Sequence, residues 1–228
     1  MQRFYREWAT SGDLINFNVK VDSTDLLIRA RENLTGPALE AVLKARRHIE
    51  VYIRSRNEFL FSLKPLEDDP FAPEIVREMI KASKEAGVGP MAAVAGAIAE
   101  RVGRRLLEIT PEVIVENGGD IFASTKREIK IGIYAGEKNP FNNKVKIKLK
   151  PEDMPLGICT SSGVIGHSLS MGRADATTII AKSASLADAA ATRVANCVKS
   201  KEDIEKAIEL ALKIPGVQGA IIIVGKKM

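Results

Sequence analysis

The sequence predicts an α+β fold, mainly antiparallel sheets packed with helices, and three observations predict it. Apolar and polar residues alternate in clusters, at residues 14–20, 129–133 and 145–149, as half-buried strands do. Helical spacing comes in pairs between the strand clusters: first 73–86 with the segment from Pro90, then 186–198 with 203–214. Strand clusters separated by paired helices point to α+β, since a doubly wound parallel sheet would alternate single strands with single helices. With 228 residues and 45% hydrophobic content, the chain can bury one large core or two small lobes.

In chain order, 14–20 (LINFNVK) reads as a strand, 21–25 as its turn, and 26–31 as the returning strand of a hairpin. Pro37 opens a long helix whose apolar face is Leu39, Val42, Leu43, Ile49, Val51 and Ile53. Residues 59–63 (FLFSL) look like a short strand closed by Pro65, and 66–71 (LEDDPF) like a linker. Pro73 begins a helix stopped by Gly87 and Gly89. Pro90 begins another, rich in Ala, Gly and Val, which suits close packing against a second backbone or a flat ligand. Val113, Ile114 and Val115 form a buried strand, and Asn117-Gly118-Gly119-Asp120 is a tight turn needing positive φ. Residues 177–181 give a further strand, and 220–224 (AIIIV) a last, central one. A hairpin followed by helices occurs in both halves, as an ancient duplication would leave it.

Composition narrows the function. Aromatics are only 5%, too few for a base-stacking surface, and the net charge of +5 is spread along the chain. That argues against nucleic acid as partner. Cys159 and Cys197 have no metal or redox spacing, so a reducing compartment is the simplest reading. The first residues do not read as a signal peptide and no run approaches a membrane span, which sets a cytoplasmic expectation.

Several residues could carry chemistry. Asp188 and Thr192 stand four apart on a predicted helix and share one face. A carboxylate with a hydroxyl offers hard oxygen ligands, better suited to Mg²⁺ or Ca²⁺ than to zinc. The plainer alternative makes Asp188 an early-turn residue favoured by the helix dipole, with Ser185 as N-cap. Thr160-Ser161-Ser162-Gly163 follows a strand-like segment and suits a pyrophosphate through hydroxyl and N–H groups; the alternative is an ordinary β-turn. It is not a Walker loop, and no Rossmann fingerprint follows a strand. His167 lies between Gly166 and Ser168, placed for proton transfer or merely solvated. Asp120, straight after the paired glycines, would orient a ribose or heterocycle or simply cap its own turn.

Asn117-Gly118-Gly119-Asp120, Thr160-Ser161-Ser162-Gly163, His167 and Ala187-Asp188-Ala189-Ala190-Ala191-Thr192 occur in that order. Together they resemble the ApbE-like superfamily, the FAD:protein FMN transferases, and most closely its small uncharacterised prokaryotic branch. The resemblance runs from near Phe71 to Val224. It implies a T-fold-related, two-lobed α+β fold with flavin between the lobes. The chain is then one domain over 1–228, with possible sub-lobes at 1–65 and 71–228. Asp188 and Thr192 would hold Mg²⁺ with a backbone carbonyl near Val94. Asn117, Gly118, Gly119, Asp120, Thr160, Ser161, Ser162 and Gly163 would line FAD, and His167 and Asp120 would be catalytic.

The sequence also departs from that pattern. Ala95-Gly96 stands where the transferases commonly carry a polar pair such as Lys-Gly, and the residues after His167 lack the usual proline. The implied function is Mg²⁺-dependent FAD binding, with FMN transfer or FAD pyrophosphate cleavage. Its partners would be a flavin nucleotide, an acceptor protein and further copies of the chain, with no membrane. The alternatives are a non-catalytic flavin or nucleotide carrier, and an oligomeric scaffold.

Overall fold

The computed structural model describes residues 13–142, 144–163 and 172–228. Alternation at the start of the chain becomes strand β1 (Ile15–Val21), which turns Phe17 and Val19 inward and pairs with β2 (Thr24–Ala30). β2 continues the sheet onto β3 (Val113–Asn117), which pairs with β4 (Asp120–Ser124). The ladder then runs through β7 (Leu156–Ser161) and β8 (Ala176–Ala181) to β9 (Val217–Ile223). All six pairings are antiparallel, in the order β1-β2-β3-β4-β7-β8-β9. Between β4 and β7, β5 (Ile129–Gly132) and β6 (Lys146–Leu149) form a separate two-stranded ladder. This is the antiparallel α+β architecture that the pattern predicts.

The large sheet feeds two cores, one on each face, because successive side chains of a strand face opposite ways. Val113, Val115, Phe122, Cys159 and Ile179 join the helical core, together with α1 (Thr35–Ser55), α3 (Glu74–Ala86), α4 (Val94–Leu107), α5 (Ala184–Cys197) and α6 (Ile204–Lys213). Ile114, Ala123, Leu156, Ile158 and Ala176 pack instead on Ile129, Ile131, Ile147 and Leu149 of the small ladder. No helix among the described residues is long and apolar enough to cross a membrane.

Four expectations need correction. Helix α1 buries Ala38, Ala41, Val42, Ala45 and Ile49, while Leu43 and Val51 are 50% and 53% exposed. Its inner stripe is built of alanines, which let it lie close to the sheet, so counting only large apolar residues misplaces the face. Residues 59–63 are no strand: α2 (Glu58–Phe61) is a single helical turn, anchored by buried Phe59 against the Tyr52 ring at 5.1 Å. β9 is an edge strand and not a central one, with only Ile222 and Ile223 fully buried. Ser183, not Ser185, caps α5, its hydroxyl accepting from the Leu186 N–H at 3.3 Å.

Candidate functional site

The β3–β4 turn brings the first site residues together. Asn117 and Asp120 are the closing pair of the hairpin, with Gly118 at φ +74°, a conformation that favours glycine. Asp120 sits directly across from Cys159 of β7, so its side chain faces the helical side of the sheet. There it meets α5, which carries Asp188.

Helices α4 and α5 are fastened to each other by their acidic residues. Asp188 Oδ2 accepts the Gly96 N–H at 2.9 Å, capping the first turn of α4 from another element. Conversely, Glu100 Oε2 accepts the Ala184 N–H at 2.7 Å and that of Ser185 at 3.4 Å, capping the start of α5. Gly96 and Glu100 are four apart, as are Ala184 and Asp188, so each helix offers a small residue and an acid on one face. Contact at this crossing is backbone to backbone. A Cβ on Gly96 would lie 2.1 Å from the Ala184 oxygen, and one on Gly157 of β7 would lie 2.3 Å from Ala184 Cα. The small-residue stretch after Pro90 thus packs against another helix, and caps of this kind contribute about 1 kcal/mol each.

Asp188 is therefore not an early-turn cap of its own helix, and among the described residues it has no ion-pair partner. Asp120 and Asp188 are both half-buried, and among the described residues neither faces a compensating cation. Burial pushes the Asp188 carboxyl up to about 7, against the pull of the Gly96 and Ala95 N–H groups. Asp120 is raised well above the ordinary carboxylate range, first by burial and then by the neighbouring Asp188 charge. The Cys159 thiol lies between them, within hydrogen-bonding reach of Asp120 and 3.4 Å from the Ala184 oxygen. Burial raises the thiol too, which excludes it as a ready nucleophile.

Thr192 is half-buried one turn beyond Asp188 on the same face of α5. The described residues contain no cluster of three His, Cys, Asp or Glu able to hold a metal, so any cation here would rest on mixed oxygen ligands. The Thr-Ser-Ser-Gly segment is half strand, with Thr160 and Ser161 ending β7. Alternation then divides its hydroxyls. Thr160 Oγ1 bonds Thr178 Oγ1 at 2.8 Å, whereas Ser161 lies on the face of Asp120 and Cys159. Ser161 Oγ and the Thr177 hydroxyl across from it are buried without a partner among the described residues. Ser162 and Gly163 follow the strand, and His167 lies outside the described residues.

Asn117 gains a specific role, its Nδ2 donating to the Ala95 oxygen at 3.2 Å. The residues that sequence reasoning missed are Glu100, Gly157 and Ala184. A buried acid four residues after Gly96 is the one local signal that could have revealed the helix clasp. Its partner lies 84 residues away.

A family model described as "AbpE bacteria" matches residues 6–228. A UPF0280 protein of Methanococcus aeolicus is 39% identical over 216 residues, covering 92% of this chain and 84% of the relative. The UPF0280 protein of Methanocaldococcus jannaschii is 42% identical over 214 residues, covering 91% and 86%. Among solved structures, the apo flavinyl transferase ApbE of Pseudomonas stutzeri aligns with a TM-score of 0.57 at 14% identity, over 92% of this chain and 95% of that one. The ApbE protein of Thermotoga maritima gives the same score and identity over 94% and 96%. At that identity the structural likeness carries the fold, while the family match and the archaeal relatives carry the membership. The chain belongs to the ApbE-like family.

Proposed function

We propose that this chain binds FAD together with Mg²⁺ at the Asp120–Asp188 pair and acts on the FAD pyrophosphate. The product would be FMN on an acceptor protein, or free FMN and AMP. The observation that carries this reading is the acid pair itself, two half-buried carboxyls with no compensating cation among the described residues. A second negative charge in such a space is unfavourable until something offsets it. The donor set for the cation is all oxygen: the Asp188 carboxyl, the Thr192 hydroxyl and a backbone carbonyl at the start of α4. That set fits a hard divalent cation. When bound, Mg²⁺ would neutralise the pyrophosphate oxygens.

The chain's own residues position and move protons. The Gly96 and Ala95 N–H groups face the Asp188 carboxyl and fix its orientation. Asp120, across from Asp188 and outside that donor set, is suited to take a proton from an incoming hydroxyl once a bound cation offsets the Asp188 charge, with His167 as a second proton-handling group. In the transfer, the hydroxyl oxygen of a protein Ser or Thr bonds to the FMN phosphorus. The phosphoanhydride P–O bond breaks, AMP leaves with its electron pair, and the hydroxyl proton passes to the base. Water in place of the hydroxyl gives FMN and AMP. The Pseudomonas stutzeri structure is that of a flavinyl transferase, which supports this reaction class.

The test is a titration of the full chain with FAD, with and without Mg²⁺, followed by analysis for FMN and AMP. Mg²⁺-dependent binding with AMP release is the expected result. Binding without turnover, even with hydroxyl-bearing acceptors present, would favour the carrier reading. Failure to bind FAD would overturn both.

A further inference from the structure

Folding gathers onto one surface a positive charge that the sequence scatters. In the small ladder Ile129, Ile131, Ile147 and Leu149 turn inward, so the residues between them face out. On β6 these are Lys146 and Lys148, and exposed Lys144 and Lys150 extend the row at either end. Lys130 of β5 stands directly across from Lys148, while Gly132 across from Lys146 leaves that lysine with no side chain opposite it. We infer that this lysine face is a docking surface for an extended acidic segment of a partner protein.

The described chain offsets little of this charge. Like charges directly opposite on neighbouring strands are unfavourable, their Cβ atoms lying about 5 Å apart. Lys148 Nζ meets Glu128 at 2.8 Å and Lys150 Nζ meets Glu152 at 3.8 Å, solvent-exposed pairs of the kind that contribute little. Lys130, Lys144 and Lys146 are exposed and have no ion pair among the described residues. Lysine on an exposed strand guards against edge-to-edge pairing, but that purpose requires no lysine opposite another lysine. An anionic partner would offset the repulsion.

Spacing selects the kind of anion. Alternate residues of a strand stand about 7 Å apart, so the β6 lysines match an extended peptide with an acid at every second residue. Screening at physiological salt acts over about 8 Å, so neighbouring lysines pull together on an incoming row of carboxylates. The row is short and bounded by acids: Glu152 and Asp153 are exposed just past Lys150, and Glu137 is exposed in the connection from β5 to β6. A membrane plane would meet those acids too, and the outward residues of the two strands include no large apolar side chain to insert. Lysine also lacks the planar fork that reads base edges, and half-buried Tyr134 is a poor platform for stacked bases. A narrow acidic peptide meets none of these obstacles.

The probe is a fluorescent peptide alternating Glu with Ser, titrated with the full chain at low ionic strength and read by anisotropy, beside a Gln-Ser control peptide. Only the Glu peptide should bind, and its affinity should fall steeply as salt rises. Lys130→Gln, Lys146→Gln and Lys148→Gln combined should weaken it by about tenfold or more. Lys81→Gln, Lys206→Gln and Lys213→Gln combined remove the same charge from exposed positions on α3 and α6 and should leave the affinity unchanged. Thermal unfolding confirms that both variants are folded. No binding of the Glu peptide, or equal losses in the two triple variants, would overturn the inference. Tighter binding to phosphatidylserine vesicles or to a single-stranded oligo-dT than to the peptide would overturn the choice of an acidic protein segment.

Discussion

Strand β3 has an acidic centre at each end. Just before it, the Glu112 side chain is fully buried and meets Arg31 and Arg127, with the Lys126 N–H donating to it at 2.9 Å. Past its other end, Asp120 and Asp188 face each other with no compensating cation among the described residues. The Arg127 hydrogen bond is the main reason the Glu112 carboxyl falls to about 2, whereas burial drives Asp188 up to about 7. The two acidic centres have opposite outcomes because only one is compensated from within the described chain. A satisfied buried acid fastens a fold; an uncompensated pair is where an external cation has most to contribute.

The strongest way to break that contrast is to delete one member of the uncompensated pair. Asp188→Ala should lower Mg²⁺-dependent FAD affinity or turnover by about 100-fold or more, read by titration and product assay. Its stability cost should be only about 1 kcal/mol, that of a lost cap on α4, read by urea denaturation. Next in size is the cradle that holds Asp188 in place. Gly157→Ala forces a methyl onto the Ala184 backbone and should cost about 3 kcal/mol, lowering Tm by roughly 9 °C.

At the satisfied end, Glu112→Gln should cost about 2 kcal/mol, discounted because Arg31 and Arg127 are 42% and 29% exposed. Its pH signature is distinctive. A folded pKa depressed to about 2 contributes stability that is fully present above the unfolded value near 4.5. That contribution is lost as pH falls from about 4.5 towards 2, so the wild-type chain and Glu112→Gln should converge in stability over that window. The smallest effect carries the opposite sign. Asp188, with its folded pKa raised, loses stability as pH climbs from its unfolded value near 3.8 through about 7. Asp188→Asn, which can still accept from Gly96, should therefore equal or slightly exceed the wild-type chain in metal-free stability at pH 8.

The sequence made the alternating strands and the helices from Pro73 and Pro90 legible, because their signals are local. Alanine on the inner face of α1 hid its orientation, since a small residue buries little area yet decides how closely a helix approaches. Phe59 read as strand because one buried aromatic in a short apolar run does not separate a helical turn from an extended segment. At the site, Asp188, Asp120 and Asn117 could be singled out as chemistry-bearing residues. Their partners could not: Gly96 is 92 residues from Asp188, and no local spacing records that contact. Division of Thr160 and Ser161 between two faces follows from β7 extending two residues further than a loop reading allows.

Thermal unfolding at pH 8 with and without Mg²⁺, on the wild-type chain, Asp188→Asn and Glu112→Gln, tests the central claim most directly. Binding to the folded state alone raises Tm, so Mg²⁺ should raise it for the wild-type chain and for Glu112→Gln but leave Asp188→Asn unmoved. An equal rise in Asp188→Asn, or no rise in the wild-type chain, would contradict the claim that the uncompensated acids form a cation site.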